Sequence, residues 1–127
     1  MESDPIYLQR LERVMADDCL FCKIIRREIP ATIVAEDEYC VAFRDIGPQA
    51  PTHVLVVPRE HVATLDAVKD PLLIGRAMTM AAEVARAEKI VDAGYRTVVN
   101  TNAGAGQTVF HVHVHVLGGR RFAWPPG

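Results

Sequence analysis

His111-Val112-His113-Val114-His115-Val116 sets three of the chain's five histidines at every second position, each followed by a valine. Side chains of a strand alternate between its two faces, so this pattern puts three imidazoles on one face and three valines on the other. The valine face reads as buried against a core, within a strand expected from Thr108 to Leu117. The histidine face is either a plain polar surface or a row of groups that bind metal, exchange protons or attack an electrophile. Spacing restricts that row. At ~3.3 Å per residue His111 and His115 lie about 13 Å apart, too far for one tetrahedral ion with ~2 Å bonds to take all three. The histidines must divide the work.

Residues upstream bear on that division. The loop Thr101 to Gln107 feeds into the row and carries Gly104 and Gly106. Glycines in such a turn let backbone N–H groups converge on an anion, although plain turns use them as well. Asn100, Gln107 and Thr108 add side-chain donors. His53-Val54-Leu55-Val56-Val57-Pro58 reads as a buried central strand stopped by its proline. If His53 meets the row it can fix a tautomer there; otherwise it is a core histidine. Cys19-Leu20-Phe21-Cys22 has the spacing of half a zinc site or of a redox dithiol, or it is an empty pair. A thioredoxin-like dithiol follows a strand and opens a long helix, whereas Glu28-Ile29-Pro30 ends any helix here within about two turns. Zinc is the preferred reading. His61, past Pro58, is best placed to join the cysteines.

Two chemistries remain open for the row. One histidine attacks phosphorus while its neighbours stabilise the phosphoryl charge. Alternatively, two histidines hold a catalytic zinc that activates water. The first also uses the glycine loop and is preferred.

The rest of the chain supplies the frame. Ile33–Glu36 and Tyr39–Arg44 read as strands joined at Asp37-Glu38, with Cys40 a small core residue. Asp45 to Pro51 is a loop. Asp70-Pro71 opens a long helix whose buried face is expected at Ile74, Ala77, Met78, Ala81, Val84 and Ala85, running to about Lys89-Ile90 before the breaker Gly94. Tyr95–Asn100 is a further strand. Residues 5–16 suit a short helix started by Pro5. The result is an α+β domain: a five-stranded antiparallel sheet with one long helix and a short N-terminal helix.

The 127 residues, half of them hydrophobic and 24% charged, fit one domain with a real core. A net charge of −2 gives no basic field for nucleic acid. No apolar run approaches the ~18 residues of a membrane span, and the acidic start is unlike a signal peptide. Three cysteines argue against a disulfide framework, which makes the cytoplasm the expected location.

With its flanks, the row resembles the His-φ-His-φ-His-φ-φ signature of the histidine triad superfamily. The likeness extends over 19–127 through Cys22-Lys-Ile-Ile-Arg-Arg-Glu-Ile-Pro30, Phe43-Arg-Asp-Ile-Gly-Pro-Gln-Ala-Pro-Thr-His53, Gly106-Gln-Thr-Val109 and Gly118-Gly-Arg-Arg-Phe-Ala-Trp-Pro-Pro-Gly127. It is closest to the Hint-like purine nucleoside phosphoramidase branch; residues 1–18 are an extension without a counterpart. The resemblance implies a homodimer whose two sheets join into one of ten strands. It implies hydrolysis of purine nucleoside 5′-phosphoramidates at the P–N bond through a nucleotidyl-histidine, or else a nucleotide-binding sensor with incidental hydrolysis. His113 would be the nucleophile, His115 would bind phosphate, and His53 would orient the nucleophile. Asn100, Gly106, Gln107 and Thr108 would serve the phosphate and ribose end, with threonine where the family commonly has serine. Asp45 would hold the ribose hydroxyls, Phe21, Phe43 and Ile46 would surround the purine, and Trp124 would reach the partner's site. Cys19, Cys22, His61 and His111 match the structural zinc quartet of some members, while others bind no metal there.

Overall fold

The computed structural model describes residues 18–127; the short helix expected over 5–16 lies outside them. The order along the chain is α1 (Leu20–Ile25), β1 (Ile33–Glu36), β2 (Cys40–Arg44), β3 (Thr52–Pro58), α2 (Pro71–Ala87), β4 (Tyr95–Val98) and β5 (Val114–Gly118). The strands form one five-stranded sheet in the order β1-β2-β3-β5-β4, with every neighbouring pair antiparallel. The apolar run through β3 is the central strand, as its composition requires.

Local chemistry sets the connections. Asp37 Oδ1 accepts from the N–H groups of Tyr39 and Cys40, both at 2.8 Å, which closes the β1–β2 hairpin. Asp70 caps α2 by accepting from Leu72 N–H at 3.0 Å, and Pro71 occupies the first turn, where its missing N–H costs nothing. α2 stops at Ala87, slightly before the expected end. Lys89 turns left-handed at φ 60°, and Gly94 follows at φ 107°.

Each face of the sheet has its own cover. Val54, Val56, Val114 and Val116 pack with Cys40 and Ala42 against α2. On the other face Val41, Phe43, Leu55 and Val57 meet Phe21 and Ile24 of α1. That second layer is only one short helix long, so it leaves part of the sheet open beside the histidines. Cys40 is a core residue, and burial pushes its thiol up to about 11.

The largest differences from the sequence reading lie in β5 and α2. β5 begins at Val114, so His111 and His113 precede the ladder instead of belonging to it. The β3–β5 register would next set Val112 opposite Pro58, which has no N–H to donate. Val112 N–H goes instead to the carbonyl of Val62 at 2.7 Å. The apolar stripe of α2 is also rotated: Leu73 and Met80 are buried, and Met78 is 39% exposed. Leu73, Ala77, Met80 and Val84 keep the i, i+4, i+7, i+11 row, with Ile74 at its margin.

This rotation predicts unequal methionines. Met80→Ala should cost about 2–4 kcal/mol in urea unfolding, while Met78→Ala should stay within about 0.5 kcal/mol of the parent. Equal losses would contradict the face assignment.

Candidate active site

Where α1 leaves the sheet uncovered, a cleft of about 340 Å³ opens, with His113 and His115 in its wall. Its apolar side comes from Leu20, Phe21, Ile24, Phe43 and Leu55, and its polar side from Asp45, Asn100 and Thr108. Phe21 stands edge-on to the His113 ring at 4.9 Å between centroids and edge-on to Phe43 at 5.4 Å.

The hydrogen bonds decide which nitrogen of each histidine is free. His113 Nδ1 lies 2.7 Å from the carbonyl of His111. A carbonyl only accepts, so Nδ1 carries the proton and Nε2 keeps its lone pair. The Gln49 N–H donates to His53 Nδ1 at 3.0 Å, which places the His53 proton on Nε2. His53 Nε2–H in turn donates to His115 Nδ1 at 2.9 Å. His115 is thereby left with its proton on Nε2. The cleft thus holds one bare imidazole nitrogen and, on the next histidine, one N–H donor.

Burial keeps these rings neutral. It lowers His53 and His113 below the usual histidine range, opposed at His53 by Asp45 and at His113 by the His111 carbonyl and then Asp45. His115 falls to about 4, first through burial and then through His113 and His53 beside it. Since His53 is neutral, its 3.5 Å approach to Asp45 Oδ2 is a weak N–H contact and not an ion pair.

The other residues singled out from sequence fall into three groups. Phe21, Phe43, Asp45, Ile46, Asn100, Gly106 and Thr108 line the cleft with His113 and His115, Ile46 standing 98% exposed at its lip. His53 lies behind the wall and meets His115, not the expected nucleophile His113. Gln107 is buried and its amide is spent inside the loop: Oε1 accepts from Asn102 N–H, and Nε2 donates to the carbonyls of Ala63 and Val109. Trp124 is 82% exposed and lines no part of its own chain's cleft. The loop itself is a turn: N–H groups of Ala105, Gly106 and Gln107 point back onto the carbonyls of Asn102 and Ala103, so they form no anion cradle. Leu20, Ile24 and Leu55 went unnoticed in the sequence. Leu20 and Ile24 share the i, i+4 face of the helical turn that carries Phe21, the signal that would have found them.

A second cluster lies beside the cleft. Cys19, Cys22, His61 and His111 bring one ligand atom each within 4.8 Å of all the others. His111 Nδ1 is 3.3 Å from Cys19 Sγ, 3.4 Å from Cys22 Sγ and 3.2 Å from His61 Nδ1, while Cys22 Sγ to His61 Nδ1 is 3.4 Å. With zinc–sulfur bonds of ~2.3 Å and zinc–nitrogen bonds of ~2.0 Å, the edges of a tetrahedral site run about 3.3–3.8 Å. His111 Nε2–H donates to the carbonyl of Pro58 at 2.7 Å, which turns the Nδ1 lone pair toward the cluster. The donor set fits zinc. Asp45, His53 and His115 also gather closely, but the His53 nitrogen facing that group bears a proton and cannot ligate.

Comparison with known proteins agrees with this geometry. Residues 26–122 match the HIT domain, and the chain belongs to that family. A purine nucleoside phosphoramidase from Escherichia coli K12 is 49% identical over 108 residues, covering 84% of this chain and 91% of that one. The crystal structure of a HIT family hydrolase from Legionella pneumophila superposes with a TM-score of 0.84 at 52% identity, covering 87% of this chain and 100% of that one. A zinc-bound histidine triad protein from Mycobacterium smegmatis gives a TM-score of 0.75 at 30% identity, over 88% and 81% of the two chains. Among the described residues no helix is long and apolar enough to cross a membrane.

The buried neutral His115 makes stability pH-dependent in a definite direction. An unfolded histidine takes up a proton near pH ~6.5, the native His115 only near 4, so acid favours the unfolded chain. Its contribution is complete above about pH 7 and is lost as the pH falls through that window. Urea unfolding from about pH 7.5 to about 4.5 should show the wild type losing stability faster than His115→Gln. Parallel curves for the two proteins would refute the assignment.

Proposed function

We propose that this chain hydrolyses the P–N bond of purine nucleoside 5′-phosphoramidates, of the AMP-amine or AMP-lysine type, by way of a nucleotidyl-histidine. The observation that carries the reading is the bare Nε2 of buried His113, held by its Nδ1–H on the His111 carbonyl at 2.7 Å, two positions from the N–H of His115. The name of the Escherichia coli relative supports the substrate class.

The reaction follows from these atoms. His113 Nε2 attacks the α-phosphorus, a P–Nε2 bond forms, and the P–N bond to the amine breaks. The departing amine takes a proton from solvent. Positive charge develops on the His113 ring, and the His111 carbonyl that accepts its Nδ1–H stabilises that charge. His115 Nε2–H donates to a phosphoryl oxygen, and His53 holds it in the required tautomer. Water then attacks phosphorus and gives up a proton to solvent, the P–Nε2 bond breaks with its electron pair returning to Nε2, and His113 is again neutral. Asn100 and Thr108 serve the phosphate end, and Asp45 accepts from the ribose hydroxyls. Phe21, Phe43 and Ile46 flank the base. Gly106 and Gln107 shape the loop that carries Thr108.

Zinc, bound by Cys19, Cys22, His61 and His111, would tie together the start of α1, the segment after β3 and the approach to β5. A second copy of the chain would extend the sheet along the free edge of β4, which is an end strand here. Trp124 of one subunit would then stand at the other's cleft.

His113→Ala should lower phosphoramidate turnover by at least about a thousandfold while the protein stays folded. Wild type quenched in cold alkaline denaturant, where a phosphorus–imidazole bond survives, should carry a nucleotidyl mass on the peptide containing His113, and the variant none. A protein that only binds nucleotides would carry no adduct in either form.

Purified protein should contain one zinc per chain by elemental analysis, and Cys19→Ala/Cys22→Ala should contain none. Sedimentation should return twice the 14.0 kDa chain mass. A zinc-free wild type or a monomer would overturn the corresponding part.

A further inference from the structure

His111 belongs to both sites at once. Its ring completes the four-ligand cluster, with Nδ1 at 3.2–3.4 Å from the other three ligand atoms. Its backbone carbonyl is the acceptor that fixes the proton of His113. The two residues lie just outside the β5 ladder, so the sheet does not hold this carbonyl. Its anchors are others: the bond from His111 Nε2–H to the Pro58 carbonyl at 2.7 Å, the bond from Val112 N–H to the Val62 carbonyl at 2.7 Å, and the cluster itself. Both hydrogen bonds reach residues 58–62, the segment that also supplies His61.

A second contact runs the same way. Cys19 and Cys22 bracket Phe21, and the Phe21 ring packs edge-on against His113 at 4.9 Å. The turn is short, at six residues, and opens with Cys19 Sγ accepting from Cys22 N–H at 3.5 Å. Four ligands bound to one ion would therefore fix both the acceptor and the packing wall of the nucleophile.

We propose that the Cys19–Cys22–His61–His111 cluster is a positioning device for the nucleophile: a bound metal, through the His111 carbonyl and Phe21, holds His113 in its Nδ1–H tautomer with Nε2 free. The inference rests on His113 being the nucleophile. Its physical claim concerns the tautomer of one ring and is readable without substrate. His111 is then a positioning residue, and metal content sets the turnover number more than substrate affinity.

The test uses the full chain labelled with ¹⁵N-histidine, loaded with one equivalent of zinc or stripped with a chelator. Loaded protein should show a single Nδ1–H form for His113 in long-range ¹H–¹⁵N spectra. Stripped protein, at a temperature where circular dichroism shows it folded, should show both tautomers in exchange. With an adenosine 5′-phosphoramidate as probe, kcat should fall by about 10–100-fold on stripping, the range for removing a supporting partner. KM should change by less than about 3-fold, and added zinc should restore kcat. If the stripped protein unfolds, His61→Ala replaces it: this removes the half-buried ligand and leaves α1 and His111 intact. A folded stripped protein or His61→Ala that keeps one Nδ1–H tautomer and wild-type kcat would reduce the cluster to a structural clip and overturn the proposal. Loaded wild type without phosphoramidate turnover but with the metal-dependent tautomer would refute the assigned reaction and leave the coupling standing.

Discussion

The 2.7 Å hydrogen bond from His113 Nδ1–H to the carbonyl of His111 is the constraint on which the site depends. An imidazole free to exchange its proton between nitrogens presents a lone pair to the cleft only part of the time. A backbone carbonyl removes that freedom because it can only accept. In the proposed reaction it would also stabilise the charge that phosphorus attack creates, since the bond strengthens as the ring becomes cationic. One main-chain oxygen would then serve ground-state orientation and charge stabilisation together. The requirement falls on backbone placement, and most of the local fold serves that placement.

The sheet meets this requirement by ending early. Pro58 has no N–H with which to pair Val112, so β5 starts two residues later and the His111–His113 segment is released from strand geometry. His115 remains in the ladder opposite Leu55 and inherits the rigidity of the central strands. His113 and His115 therefore differ in kind. One sits on a fixed strand and is oriented by a side chain, His53. The other sits on an irregular segment and is oriented by a carbonyl. Both rings are buried enough to stay neutral, as the proposed nucleophile and uncharged donor would each need.

Much of this could be read from residue types. Alternation placed the valine face correctly, Asp70-Pro71 located the start of α2, and the apolar run marked β3 as central. The cysteine pair and two histidines assemble into one cluster although His111 and Cys19 are 92 positions apart. What could not be read was set by tertiary contacts. The α2 stripe admits either Met78 or Met80, and only the position of the valine face decides. Alternation counted His111 and His113 as strand because periodicity does not register a proline on a neighbouring strand. The glycine loop looked like an anion cradle, yet Asn102 and Ala103 carbonyls take its N–H groups. Gln107, whose amide could have faced a ligand, closes the loop instead.

The three histidines of the row follow one rule. Each gives one nitrogen to a protein group and leaves the other available: His111 binds Pro58 and turns Nδ1 to the cluster, His113 binds His111 and frees Nε2, and His115 accepts from His53 and frees an N–H. The partner decides the role. Carbonyls leave a lone pair behind, suited to a metal or to phosphorus, whereas a donating histidine leaves an N–H suited to an anionic oxygen. An identical side chain at alternate positions thus presents a lone pair to the cluster, a lone pair to the cleft and an N–H donor with no difference in residue type. The alternation is what brings them into one row; the acceptors and donors behind the row make them unlike.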